Sequence, residues 1–271
     1  MSASTKRNSA RHHRGWLGPI MLAILAASTG AAWWVSQAYG TTAQRGTDII
    51  RKIRNETLRA YWKPEPVTTA YLITNRKGRS AGWEISTRKG TPYGYAGSTW
   101  SRGADALYLE KWQVRADASR SKYEARALLD ADYSPITINL AEDQVTVQIG
   151  GQRTGILASA QAPSNYIPEG VLAVVVRLAA RLDRKLAFKM IFNENAIRGG
   201  RVQFISVTMT PQPPASVVMH LGQHTKIYRL DAQGRIVRIE HPGTGIVYRT
   251  VSVKELIERF PEIRRLLAGS T

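Results

Sequence analysis

Between Val67 and Ser252 the chain is cut again and again by turn signals, and the stretches between them are rich in β-branched and aromatic residues. Residues 67–76 read as a strand, turned by Lys77-Gly78-Arg79-Ser80 into a second one at 83–87. Residues 106–109 and 112–114 continue the theme, and 136–140 and 145–149 alternate apolar with polar. Gly150-Gly151, Gly199-Gly200, Gly222-Gln223, Ala232-Gln233-Gly234 and Gly243-Thr244-Gly245 supply the positive φ values of tight hairpins. Strands joined by short turns pair antiparallel, because parallel pairing needs a long crossover. The pattern predicts a mainly β (α+β) fold, a large antiparallel sheet curved into a half-barrel or partly closed.

Residues 170–182 interrupt the strands. From 171 to 180 nearly every residue is apolar, and Arg177 is the charged exception. A helix apolar all round belongs in an interior, and this one is too short to span a bilayer. Pro168 suits its first turn, and its natural place is the concave face of the sheet. Leu172, Val175, Val176 and Ala179 lie on one side and are the candidate lining of an apolar ligand cavity. Near the C-terminus Ser252 and Glu255 have capping-box spacing, ahead of the apolar residues Leu256, Ile257 and Phe260. Pro261 breaks that helix before Ile263, Leu266 and Leu267.

The other end carries a different signal. The run from Trp16 to Val35 contains no charged residue, and about 20 residues of helix span a hydrocarbon core. Lys6, Arg7, Arg11 and Arg14 precede it; Trp16 marks one end, and Trp33, Trp34 and Tyr39 the other. Amphipathic rings at the ends of such a run favour the headgroup region. The expectation is a basic tail at 1–15, an uncleaved transmembrane signal anchor at 16–39, and a juxtamembrane amphipathic helix and linker at 40–66. Cleavage after Ala38 is the alternative. Residues 67–271 then form an extracytoplasmic β-rich domain on a single-pass membrane protein, periplasmic in a double-membrane bacterium.

A formal net charge of +18 implies attraction to anionic lipid or polymer. Nucleic acid is disfavoured, although Trp83, Trp100 and Trp112 are interleaved with cations, because strand tryptophans normally pack in cores or cross-strand pairs. The chain has no cysteine, hence no disulfide and no thiol ligand. His220 and His224 flank a turn without a third ligand, and a zinc site needs three or four. Asp130 and Asp132 lack a third acidic neighbour, and Glu240 and His241, being adjacent on a strand, point to opposite faces. No phosphate-binding loop or nucleophile elbow occurs. The sequence therefore predicts no catalytic residue, no metal and no cofactor.

The run Asn165-Tyr166-Ile167-Pro168-Glu169-Gly170, the apolar helix after it, and Ile227-Tyr228-Arg229-Leu230-Asp231-Ala232-Gln233-Gly234 together resemble uncharacterised bacterial exported domains with a large curved antiparallel sheet. Those domains are in turn similar to the periplasmic lipoprotein carriers, whose half-barrel wraps a helical lid over an apolar cavity. The resemblance covers roughly 67–267 and implies a lipid or lipoprotein ligand. It departs from the carriers in keeping an anchor, and no residue is carried over as a lipid contact. The reading is a membrane-anchored, non-catalytic domain that binds a lipid or lipid-linked ligand or serves envelope assembly. The alternative is a scaffold or interaction module contacting anionic envelope polymers, and behind it an enzyme without a recognisable motif.

Overall fold

The computed structural model describes residues 65–103, 106–115, 118–128, 134–151 and 155–268. The predicted anchor with Trp16, Trp33 and Trp34, the juxtamembrane helix, Asp130 and Asp132 lie outside them. Among the described residues no helix is long and apolar enough to cross a membrane.

Eight strands follow one another and pair in chain order: β1 (Val67–Thr74), β2 (Ser80–Thr91), β3 (Gly94–Arg102), β4 (Leu107–Arg115), β5 (Arg120–Ala127), β6 (Ile136–Ala141), β7 (Gln144–Ile149) and β8 (Ile156–Gln161). A short 3-10 turn at Glu169–Val171 then leads into helix α1 (Leu172–Leu182). Next come β9 (Leu186–Met190), the small hairpin β10 (Ile197–Arg198) and β11 (Arg201–Val202), and a second meander. That meander is β12 (Ile205–Gln212), β13 (Ser216–Leu221), β14 (His224–Leu230), β15 (Ile236–His241) and β16 (Ile246–Val251). Helices α2 (Val253–Arg259) and α3 (Glu262–Ala268) close the chain.

The two meanders are stitched by β1 against β16, giving one 14-stranded antiparallel sheet that runs from β8 through β1 and β16 to β12 and β9. Its curvature follows from the core. The apolar cluster around α1 contains Tyr95 of β3 and Val114 of β4 together with Phe188 of β9 and Met209 of β12. In a flat sheet β4 and β9 would stand ~43 Å apart, nine strand spacings, whereas a helix is about 10 Å wide. The sheet must curl round α1. Neither edge is left bare: β11 lies against β8, and the segment after β8 pairs with β9. In that pairing Lys189 N–H donates to the Asn165 carbonyl and Ile167 N–H to the Lys189 carbonyl, both at 2.9 Å.

Local chemistry sets the helices as the sequence predicts. Pro168, at φ −65°, starts the 3-10 turn, and α1 ends at Asp183 in the left-handed region (φ 47°). Ser252 Oγ accepts the Glu255 N–H at 3.0 Å. Glu255 does not complete a reciprocal box but pairs with Arg249 and Arg259 at 3.5 and 3.2 Å. Pro261 separates α2 from α3.

These last two helices lie on the convex side and reverse the usual polarity there. Ala70, Leu72, Trp83, Ile85 and Leu107 pack outward against Leu256 and Ile263, and the Arg102–Glu262 ion pair at 2.8 Å ties β3 to α3. Because the apolar rows of β1 to β4 face out, their polar rows face in.

Candidate functional site

Register places the inward residues. Tyr71 of β1 opposes Glu84 of β2, which opposes Ser101 of β3 and then Tyr108 of β4. The next row holds Thr69, Ser86, Thr99 and Glu110, and the next Val67, Arg88, Gly97 and Trp112. Thr99 Oγ1 donates to Ser86 Oγ at 3.1 Å, linking the middle row. Further round, Tyr248 and Thr250 of β16 and Lys226 and Tyr228 of β14 sit on the same concave face, by pairing with Ile73, Tyr71, Met219 and Val217.

Two regions of opposite character result. The inner one is acidic. Glu84 and Glu110 project from the sheet, and Glu169, on the 3-10 turn that starts α1, comes near enough for the Glu110 charge to act on it. Each is largely covered by the protein, and desolvation dominates its titration. Burial, with the Glu110 charge second, raises Glu84 to about 7 and Glu169 to about 8. Burial also raises Glu110, against a hydrogen bond from Tyr123 and the charge of Lys226. Asn193 Nδ2 in turn donates to the Tyr123 hydroxyl at 2.6 Å. Tyr71, Tyr228 and Tyr248 surround the carboxyls, and burial raises all three, Tyr71 and Tyr248 to about 12. The Tyr71 and Tyr248 rings meet edge to face at 6.4 Å, and His241 stacks on Tyr248 at 5.4 Å.

The outer region is basic. A cavity of about 730 Å³ opens at one end of the sheet, lined by Val67, Arg88, Tyr95, Arg177, Arg181 and Arg235 among others. Arg88 is depressed by burial and then by the charge of Arg177, with Tyr95 and Tyr71 opposing. Two guanidinium groups thus stand close enough in a half-buried wall for the charge of one to act on the other. Asp231 is the only acid among the described residues of that lining. It is already engaged, accepting from Arg235 Nε at 2.7 Å and from the backbone N–H groups of Gln233 and Arg235.

The residues singled out from sequence fall elsewhere. Val175, Val176 and Ala179 have no exposed surface and pack solidly in the main core; Leu172 is partly buried at its margin. The α1 residues that line the open cavity are Arg177, Ala180 and Arg181, on another side of the helix. Trp83 is fully buried beneath α2 and α3, and Trp100 packs against the same cluster. Trp112 lies inside, over Gly97 and Gly170. Glu240 faces out, paired with Arg229 and Arg238 at 2.6 and 2.9 Å, while His241 faces in. His220 Nδ1 lies 3.2 Å from Thr225 Oγ1. Among the described residues no group of three or more His, Cys, Asp or Glu is arranged to hold a metal ion. Glu84, Glu110, Glu169, Arg88 and Arg177 were not expected as site residues. The alternation of Trp83 and Ile85 with Glu84, Ser86 and Arg88 was the signal that could have found the first and fourth.

No protein-family model and no curated protein sequence matches the chain. Among solved structures it is similar to a β-barrel-like protein of the domain of unknown function DUF1849 from Brucella abortus. The TM-score is 0.50 at 9% identity, covering 69% of this chain and 96% of that one. A DUF1089 family protein from Pseudomonas aeruginosa aligns with a TM-score of 0.32 at 10% identity, over 68% of this chain and 92% of that one. The first likeness shows a β-barrel-like fold. In fold it is consistent with the expected curved-sheet domain of unknown function. The likeness does not show the expected resemblance to the lipoprotein carriers.

Proposed function

We propose that this chain is a non-catalytic, membrane-anchored binding protein whose extracytoplasmic β domain takes the anionic group of a lipid or lipid-linked molecule at its basic mouth. The observation that carries the reading is the cavity of about 730 Å³ in which Arg88 and Arg177 stand together beside Tyr95 and Leu230. Small-molecule sites are concave, of roughly 300–1,000 Å³, and combine apolar walls with a few fixed polar groups. Arginine is the side chain best matched to phosphate and carboxylate oxygens. An anchor at 16–39 would keep such a mouth close to a lipid surface, and the charge of +18 would draw anionic headgroups towards it.

Native mass spectrometry of the full chain released from non-ionic detergent, with lipid extraction of the same sample, tests the reading. The expected result is one anionic lipid per chain, lost in the double variant Arg88→Gln/Arg181→Gln. A bare wild-type chain, or lipid retained equally by the variant, overturns it. The scaffold reading has one observation in its favour, the charge of +18, and predicts the bare chain together with crosslinks to an envelope polymer or protein.

A further inference from the structure

The mouth opens where the β2–β3, β12–β13 and β14–β15 turns, the last turn of α1 and the start of β1 come together, and its lining draws on each of them. The β2–β3 turn is tight: Thr91 pairs with Gly94, leaving Pro92 and Tyr93 at the tip. Tyr93 is 80% exposed, the most exposed large apolar side chain among the described residues. A ring held out in this way gains nothing from the fold, whereas amphipathic rings are favoured at the headgroup level of a bilayer. Past the last turn of α1, Arg181, Leu182, Asp183, Arg184 and Lys185 are all exposed, as is Lys89 near the end of β2. The rim therefore carries Lys89, Arg181, Arg184 and Lys185 against Asp183, while Asp231 is held by Arg235.

The far end of the sheet also exposes cations, Arg76, Lys77 and Arg79, and the apolar Leu128, Ile156 and Leu157. What singles out the mouth is the side from which the chain arrives. Val67, the first residue of β1, lines it, so the segment with the expected anchor at 16–39 joins the domain at this end. A tether raises the effective concentration of whatever it joins. We propose that the mouth end docks on an anionic lipid bilayer, with Tyr93 seated among the headgroups and Lys89, Arg181, Arg184 and Lys185 against their phosphates. The docking rests on the anchored, lipid-taking reading above and adds a route to it, since a lipid then passes from bilayer to mouth without crossing water. Ring and cations act together. Attraction of cations to anionic headgroups fades within a Debye length, and an interfacial ring holds the rim inside that distance.

The chain has no cysteine, so Pro92→Cys gives a single site for an environment-sensitive fluorophore beside Tyr93. Lys77→Cys puts the same probe on the β1–β2 turn at the far end. The full chain with either probe is placed in nanodiscs of phosphatidylglycerol and phosphatidylcholine in equal parts, with a quencher carried on the lipid headgroups. The probe at 92 should be blue-shifted and quenched, the probe at 77 neither, and added salt should release the first. Arg184→Gln/Lys185→Gln, outside the cavity lining, should lower the docked-to-free ratio about tenfold or more, and Tyr93→Ser should lower it too. These positions are all exposed, so the fold is not at stake. A probe at 92 that stays in water, equal quenching at both ends, or an unchanged ratio in the double variant would overturn the docking. Shielding at 92 that grows with protein concentration in detergent alone would give this face to a second copy of the chain and overturn it as well. The lipid count by mass spectrometry is a separate reading. A docked probe on a bare chain sinks the lipid-taking reading and keeps the docking; one lipid per chain with a free probe does the reverse.

Discussion

Replacing Glu84 by Gln should make the protein more stable at pH 8 than at pH 4 relative to the parent, and the size of that change can be worked from the structure. Glu84 is raised from an ordinary 4.5 to about 7, chiefly by burial. The folded carboxyl therefore keeps its proton where the unfolded one has lost it. Between those two values the folded state binds more protons, so this group's contribution to stability falls as pH rises. Below about 4.5 both states are protonated and the penalty vanishes; above about 7 it is fully present. At 1.36 kcal/mol per unit the full penalty is about 3 kcal/mol. Glutamine keeps the shape and has no such slope, and removing the Glu84 charge also eases the ionisation of Glu110, which acts on it, so this coupling widens the gap in the same direction. The assay is thermal or urea unfolding of the full chain in non-ionic detergent at both pH values. For a domain of this size each kcal/mol shifts Tm by about 2–4 °C, so the gap between variant and parent should widen by roughly 6–12 °C from pH 4 to pH 8. Parallel curves, or a gap that widens towards acid, would refute the placement of Glu84 in a desolvated interior.

Two further outcomes follow from the same interior. A Cβ at Gly97 would strike the Trp112 indole, which cannot back away because Gly170 closes on its other side, where an added Cβ would lie 2.9 Å from the ring. Gly97→Ala should therefore cost about 1–3 kcal/mol in urea unfolding, the usual range for an overpacked core, and a neutral result would mean the ring is free to move. His241 is pushed down to about 4 by burial, then by the charges of Lys226 and His224. Its imidazole signals should stay those of the neutral ring until about pH 4, and its contribution to stability should be lost as pH falls from 6.5 towards that value.

Much of the fold was legible because turns and alternation are local properties. Gly78, Gly150, Gly199, Gly222, Gly234 and Gly245 all take positive φ at the expected turns, and the apolar helix lies inside the sheet as its composition demands. Two segments read apart, at 106–109 and 112–114, are one strand, β4. Strands such as β5 and β8 were hidden by cations or small residues, as in Arg120-Ser121-Lys122 and Ala158-Ser159-Ala160. The candidate site was not legible, for a physical reason. Alternation fixes which residues share a face but not which face is inside. Along β1 to β4 the apolar face is claimed by Leu256 and Ile263, from helices more than a hundred residues away in the chain. Only that distant cover turns Glu84, Arg88 and Glu110 inward.

The same inversion explains how a strongly basic chain comes to hold an acidic interior. Arg88 and Glu84 lie on one face of one strand, four residues apart and so separated by about 13 Å along it, with Ser86 between them. Over that distance the wall changes from guanidinium groups, which repel one another at the mouth, to carboxyls that crowd one another within. Each set is destabilised by its own kind, and neither is close enough to neutralise the other outright. A strand evolved for stability alone would bring the two signs together as a cross-strand pair. Keeping them apart, each in a partly desolvated wall, costs stability. The order of charges along β2 therefore shapes this interior more than does the sum of +18.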